Sequence, residues 1–129
     1  MNAHEARLVR FVVPQYKTRF RESLESKRRD KLLASLPGFV YWDDRYLKRV
    51  PNAEQYPERI AQILIERGAP GTCYVVSIND DLDRTELPLM EALERTVGWE
   101  MGTLISCLPG RLAYFEGEPP NERYVLDRV

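Results

Sequence analysis

The run of short β-type segments after residue 102 constrains the fold of this chain more than any other feature. These segments are residues 103–108, 111–116 and 123–127. Pro109-Gly110 separates the first two and predicts a type II turn with a bulge or a slightly wider loop. Because strands separated by so few residues pair antiparallel, the end of the chain is predicted to be a three-stranded meander.

Helical periodicity is confined to the part of the chain before this meander. Tyr16, Phe20 and Leu24 are four residues apart and share one face, which predicts helical structure over residues 15–36. A basic stretch interrupts the apolar stripe, so either one kinked helix or two helices in tandem are expected, with Ser26 as a cap. Two further helices are predicted by proline at the start and glycine at the end, from Pro57 to Gly68 and from Pro88 to Gly98.

Three apolar segments lie between or before these helices. Residues 8–13 predict a first strand that ends at Pro14, and residues 73–78 predict a strand covered on both faces. Residues 39–42 are compatible with a short strand or with an aromatic loop over the core. The predicted order over the single domain 1–129 is β-α-(α)-α-β-α-β-β-β, an α+β fold with helices on a mostly antiparallel or mixed sheet. The first two strands are separated far enough to be parallel neighbours.

Composition indicates a folded protein that is expected to be soluble and cytoplasmic. Hydrophobic residues make up 43% of the chain and aromatic residues 10%, which is unlike a disordered chain. No signal peptide or membrane-spanning run is visible. Cys73 and Cys107 lie in apolar, strand-like segments and are expected to be buried, reduced thiols.

The residue types present argue against most catalytic and metal sites. A nucleophilic triad would have to use the single histidine, His4, near the N-terminus. Two cysteines and one histidine fall short of the four ligands of structural zinc. The two glycines in residues 98–102 follow a helix, whereas a phosphate loop precedes one. The sequence therefore assigns no catalytic residue, metal or cofactor, and an enzyme is not favoured.

Charge is distributed unevenly along the chain. Residues 1–65 contain 13 Lys or Arg and 8 Asp or Glu, whereas residues 66–129 contain 6 and 12. The favoured interpretation is a non-catalytic binding or regulatory protein that docks a macromolecule. In one version of it, the acidic half of this chain binds and neutralises a basic protein, as an immunity-type protein does. A homodimer that covers a free sheet edge is a further option. The residues proposed for partner or ligand binding are Asp80, Asp81, Asp83, Arg111, Tyr114 and Glu116.

Two alternatives remain open at this point. Basic residues near aromatic ones are typical of nucleic-acid binding, and the residues proposed for it are Lys27, Arg28, Arg29, Trp42, Arg45, Lys48 and Arg49. A small enzyme would instead use a cleft lined by Asp80, Arg111, Tyr114 and Glu116. Each of these features also has a purely structural explanation. The basic residues would form a mixed-charge helix surface, Asp80 and its neighbours an acidic loop in solvent, and Tyr114 part of the core.

Overall fold

Six strands form one sheet in the computed structural model, which describes residues 2–118 and 122–128. The strands are β1 (Leu47–Arg49), β2 (Thr72–Ser77), β3 (Glu86–Pro88), β4 (Thr103–Leu108), β5 (Leu112–Glu116) and β6 (Arg123–Asp127). Their order is β1-β6-β5-β4-β2-β3, and every pairing is antiparallel. The predicted α+β class and the predicted C-terminal meander are both confirmed.

Helices fill most of the chain before β4. The α-helices are α1 (Ala3–Arg7), α2 (Lys17–Glu25), α3 (Arg29–Ser35), α4 (Pro57–Glu66) and α5 (Leu89–Glu94). Short 3₁₀ turns cover Leu8–Phe11, Pro14–Tyr16, Leu36–Gly38, Asp44–Tyr46 and Asn52–Glu54. None of the helices in the described part of the chain is long and apolar enough to cross a membrane.

The predicted strand over residues 8–13 is wrong. Leu8–Phe11 is a 3₁₀ turn that continues α1, and Val12 forms an isolated antiparallel bridge with Trp42. Leu8 and Phe11 are fully buried whereas Arg10 between them is exposed, and a short run of this kind fits a helical turn as well as a strand. The parallel pairing that the sequence left open for this segment therefore does not form, and the sheet is antiparallel.

Residues 15–36 form two helices in tandem, which was one of the two predicted arrangements. At Ser26 the backbone is extended, and the Ser26 hydroxyl accepts a hydrogen bond from the Arg28 N–H at 3.1 Å. This interaction satisfies a backbone donor that α3 itself leaves unpaired. The aromatic segment 39–42 is a loop over the core, and β1 just after it was not predicted from the sequence.

Helical layers cover both faces of the sheet because side chains along each strand alternate between two cores. In β5, Ala113 and Phe115 pack under the N-terminal helices, whereas Leu112 and Tyr114 pack under α4 and α5. The N-terminal layer, residues 3–42, contains nine Lys or Arg and four Asp or Glu. The layer formed by residues 51–66 and 89–97 contains two Lys or Arg and five Asp or Glu. The uneven charge of the sequence therefore becomes a basic layer and an acidic layer.

The meander does not need a second copy of the chain to cover it. Strand β1 pairs with β6, and β2 pairs with β4, so the edges of the sheet are β1 and β3. Each edge strand has three residues, and Lys48 and Arg49 on β1 and Glu86 and Pro88 on β3 are exposed. Short, charged or proline-containing edges discourage pairing between sheets.

The turn between β4 and β5 requires glycine at position 110. The Arg111 N–H donates to the Leu108 carbonyl at 3.0 Å, and Gly110 has a φ of +66°, as the predicted type II turn demands. The pairing register shifts between Ser106 and Leu108, which agrees with the predicted bulge. A Cβ atom at Gly110 would lie 2.6 Å from the Arg10 Cδ and 3.0 Å from the Arg7 carbonyl oxygen.

Gly110→Ala is expected to lower the free energy of unfolding by about 1–3 kcal/mol, because it combines a left-handed backbone with a steric overlap. Gly71→Ala is the matched control, because a Cβ atom there meets no atom within 4 Å. Urea unfolding of the two variants measures the difference. Equal midpoints would contradict the close packing of this turn against the end of α1.

Candidate functional site

The acidic loop after β2 and the basic segment of α3 meet in one buried ion-pair network. The Arg29 guanidinium lies 2.9 Å from the Asp83 Oδ1 and 2.5 Å from the Glu5 Oε1. Arg29 is only 6% exposed. Arg29, predicted for nucleic-acid binding, and Asp83, predicted for partner binding, therefore bind each other. Arg29 is buried, and the partly buried Asp83 carboxylate is already occupied by Arg29.

The same network extends into the sheet. The Tyr74 hydroxyl donates to the second Glu5 oxygen, and the Ser77 N–H donates to the Asp83 Oδ1 at 2.9 Å. Burial disfavours the charge of Arg29, but its hydrogen bonds to Asp83 and Glu5 outweigh that effect and raise its pKa. The network fastens α1, α3 and the loop after β2 to the sheet, so we assign it a structural role.

A cavity of about 530 Å³ adjoins this network, lined by Asn2, Glu5, Leu24, Glu25, Tyr74 and Arg84. Both carboxylate oxygens of Glu5 already accept hydrogen bonds from the protein. A ligand in this cavity would therefore compete with Arg29 and Tyr74 for the buried carboxylate. The other charged lining residues, Glu25 and Arg84, are of opposite sign, so the cavity does not favour an anion over a cation.

The two thiols lie in environments that suppress nucleophilic chemistry, and the histidine is held by stacking and a hydrogen bond. His4 stacks on Tyr74, and its Nδ1 lies 2.7 Å from the Ser106 hydroxyl. Burial lowers the pKa of His4, although the nearby Glu86 partly opposes this. Burial raises the pKa of Cys73 to about 12 and raises that of Cys107 as well, so both remain protonated thiols at neutral pH.

Tyr114 and Glu116 share one face of β5, as predicted, but that face is buried. The Glu116 carboxylate accepts hydrogen bonds from the Tyr114 hydroxyl at 2.6 Å and from the Arg123 Nε at 3.0 Å. It also accepts the N–H groups of Gly98 and Glu100, at 2.9 Å and 3.0 Å. Burial raises the pKa of Tyr114, and the Glu116 charge adds to this. Glu116 therefore stabilises the loop before β4.

The four residues of the predicted cleft do not come together. Arg111 is exposed at the start of β5, at the opposite end of the strand from buried Glu116. Asp80 lies in the exposed turn after β2, beside Asp81. Neither of these two aspartates forms an ion pair with another residue of 2–118 or 122–128. The same part of the chain contains no cluster of His, Cys, Asp and Glu that could hold a metal ion.

The fold separates the residues of segment 42–49 that were predicted to bind nucleic acid. Trp42 is 4% exposed and packs against Phe20, Phe39 and Phe115, so it cannot stack on a base. Arg45 is exposed but is bound by Asp43, whose carboxylate accepts its Nε and NH2. Lys48 and Arg49 are exposed on the edge strand β1.

The Asp43–Arg45 pair gives a direct pH prediction. Hydrogen bonds from the Arg45 side chain, and then from its backbone N–H, lower the pKa of Asp43 from 3.8 to about 2. The stabilisation is therefore fully present above pH 3.8 and is lost as the pH falls through about 2. In an NMR titration the Asp43 carboxyl is expected to titrate near 2 and to shift upward in Arg45→Gln. A midpoint that is the same in both proteins would contradict the pairing.

A basic groove lies between α2 and α3, on the outer surface of the N-terminal layer. Its volume is about 530 Å³, and it is lined by Tyr16, Arg19, Ser23, Arg28, Lys31, Leu32 and Ser35. None of these lining residues is acidic. Of the residues predicted for nucleic-acid binding, Arg28 lines this groove, and Lys27 is an exposed neighbour between the two helices.

Helical periodicity explains how a mixed-charge sequence produces a groove of one sign. Arg19 and Ser23 are four residues apart, and Arg28, Lys31 and Ser35 follow the same three- and four-residue spacing on the second helix. The acidic residues Glu25 and Asp30 point away from the groove, and Glu22, three residues after Arg19, lies beside its edge without lining it. Glu25, for example, lines the separate cavity beside Glu5.

The three cations of the groove are free to bind an external anion. Arg19, Arg28 and Lys31 are exposed, and none forms an ion pair with another described residue. Like charges at neighbouring positions repel one another, and an anion would relieve that repulsion. The sequence signal was the three- and four-residue spacing, which counting basic residues along the chain does not reveal.

An aromatic pair borders the groove. The ring of Tyr16, which lines it, stacks on Tyr41 with 3.9 Å between ring centroids and an angle of 0° between ring planes. The Arg19 guanidinium lies 5.7 Å from the Tyr16 centroid. Phe39 contacts both tyrosines edge-on. The groove and the aromatic loop over the core therefore form one continuous surface.

No protein-family model, no curated protein and no solved structure matches the chain, so its function has to be inferred from its own residues.

Proposed function

We propose that the protein is a non-catalytic binding protein of the cytoplasm whose macromolecular partner is a nucleic acid. The observation that carries the proposal is the groove between α2 and α3, in which three unpaired cations meet without a carboxylate. The groove binds the phosphate backbone, and the Ser23 hydroxyl is an additional donor for a phosphate oxygen, whereas the Ser35 hydroxyl already donates to the Leu32 carbonyl at 2.7 Å.

The chemistry of the groove fits phosphates better than it fits a small apolar ligand. Arginine guanidinium groups donate two parallel hydrogen bonds to a phosphate, and both Arg19 and Arg28 are placed to do so. The three cations are exposed, so binding is driven mainly by release of counterions from the nucleic acid. Such binding is moderate in affinity, does not read sequence and weakens strongly as salt is added.

Binding is tested by the fluorescence anisotropy of a labelled oligonucleotide of about 12 nucleotides. Three phosphate contacts on a single strand predict a slope of about −2 when the logarithm of the association constant is plotted against that of the salt concentration. This slope corresponds to a loss of affinity of roughly 20-fold between 50 and 200 mM salt. Replacing Arg19, Arg28 and Lys31 together by Gln is expected to abolish most of this binding and most of its salt dependence.

The control replaces Arg21 and Lys27 by Gln, because both are exposed but do not line the groove, and it is compared with the groove double variant Arg19→Gln, Arg28→Gln, which removes the same number of charges. It removes two positive charges from the same layer, and it should reduce affinity by a factor of two or three at most through the general field. Equal losses in the two variants would show that the net charge, and not the groove, determines binding. Binding to anionic lipid vesicles in place of nucleic acid would assign the groove to a membrane surface.

A protein partner at the loops that follow β2 and α5 is the second candidate. Asp80 and Asp81 are exposed, and Trp99, 67% exposed, projects from the loop that Glu116 holds. Exposed tryptophans on fixed backbones are frequent anchors of protein interfaces. Reversing the charges of Asp80 and Asp81 should then weaken a complex with a basic protein. Unchanged complexes would remove this candidate. Asp83 is left intact because it belongs to the buried network.

A further inference from the structure

We infer that the groove takes a single strand and that an unpaired base of this strand stacks on Tyr41. This inference rests on the proposed function, because it names the form of nucleic acid that the same surface binds. It adds a contact of a different kind, since stacking depends on an aromatic face and not on charge.

The Tyr41 ring is available for stacking. Tyr16 covers one face of the ring, Phe39 meets it edge-on with 5.5 Å between centroids, and Tyr41 remains 40% exposed. Because Tyr16 also lines the groove, a strand whose phosphates lie on Arg19 and Arg28 has a base within reach of Tyr41. Val40 is 77% exposed beside it and extends the apolar contact.

The backbone under Tyr41 is fixed before any ligand binds. The Val13 N–H donates to the Tyr41 carbonyl at 2.9 Å, and the Asp43 N–H donates to the Phe11 carbonyl at 2.8 Å. The Val12–Trp42 bridge lies between these two bonds. A side chain held by such a backbone loses little conformational entropy when a base packs on it, which favours binding.

The arrangement favours single strands over duplexes. A duplex presents phosphates to the groove, but its base faces are already stacked on one another and are unavailable to Tyr41. A single strand offers both phosphates and free base faces. Duplex binding is therefore limited to the cations, whereas single-strand binding combines the cations with the tyrosine.

The test compares a labelled single strand with a duplex of equal length at the same salt concentration. The wild-type protein is expected to bind the single strand more tightly. Tyr41→Leu, which keeps apolar bulk without an aromatic face, is expected to weaken single-strand binding by about 5- to 100-fold and to leave duplex binding and the salt slope unchanged. Tyr41→Phe retains the ring and is expected to bind like the wild type.

Tyr56→Leu is the matched control, because Tyr56 is 49% exposed but precedes α4 in the acidic layer. Equal affinity of the wild type for single strand and duplex would overturn the inference, even if Tyr41→Leu failed to fold. So would unchanged single-strand binding by Tyr41→Leu. Both results leave the phosphate groove in place, whereas no binding of either nucleic acid at low salt overturns the proposed function itself.

Discussion

Arg29→Met is expected to lower the free energy of unfolding by about 3–5 kcal/mol. The substitution keeps most of the aliphatic bulk but leaves the Glu5 and Asp83 carboxylates without their shared cation in a buried site. The Tyr74 hydroxyl and the Ser77 N–H do not replace the lost positive charge. Because a domain is typically stable by about 5–15 kcal/mol, this loss is a large share of the total.

Chemical unfolding followed by circular dichroism measures this effect. Arg28→Met is the matched control, one residue away but exposed, and should change the free energy of unfolding by less than about 0.5 kcal/mol. Combining Arg29→Met with Glu5→Gln and Asp83→Asn should recover much of the stability, because no buried charge is then left unpaired. An Arg29→Met protein as stable as the Arg28→Met control would contradict the buried network.

Glu116→Gln is expected to cost about 3–5 kcal/mol, although it changes few atoms. All four groups that contact the carboxylate are donors: the Tyr114 hydroxyl, the Arg123 Nε and the N–H groups of Gly98 and Glu100. A glutamine accepts hydrogen bonds only through its one oxygen. Its NH₂ group is itself a donor, so it leaves neighbouring donors unpaired. Each buried donor left unpaired costs about 1–3 kcal/mol, and the Arg123 charge also loses its fully buried partner.

Hydrogen exchange distinguishes this effect from a general loss of stability. The amides of Gly98 and Glu100 should exchange faster in Glu116→Gln by more than the global free energy of unfolding explains. Glu118→Gln is the control, because Glu118 is exposed two residues further on. Unchanged exchange of the two amides would show that Glu116 does not hold the loop that carries Trp99.

Much of the fold follows from local sequence signals. The meander, the helix that begins at Pro57 and the strand over residues 73–78, which the structure places at residues 72–77, were predicted because periodicity and turn residues agree there. Residues 8–13 were predicted incorrectly because a six-residue apolar run does not distinguish a buried turn from a strand. Strand β1 was missed because its three residues, with two charged side chains, carry no strand pattern and depend on pairing with β6.

The candidate site was less predictable because function depends on which way each side chain points. Arg28 and Arg29 are neighbours in the sequence, yet a rotation of about 100° along a helix places one in the groove and the other in a buried network. Tyr114 and Glu116 were correctly assigned to one face, but a strand pattern cannot show that α5 and its following loop cover that face. Pairing between residues 5, 29 and 83 is a tertiary contact without a local signal.

The most direct test of the account is an NMR titration of the ¹⁵N-labelled protein with an unlabelled single strand at low salt. Binding in the groove is expected to shift the amide signals of α2, α3 and the loop around Tyr41, while those of α4 and α5 on the opposite face of the sheet stay in place. Shifts centred on the turn at Asp80 or on Trp99, or no shifts at all, would contradict it.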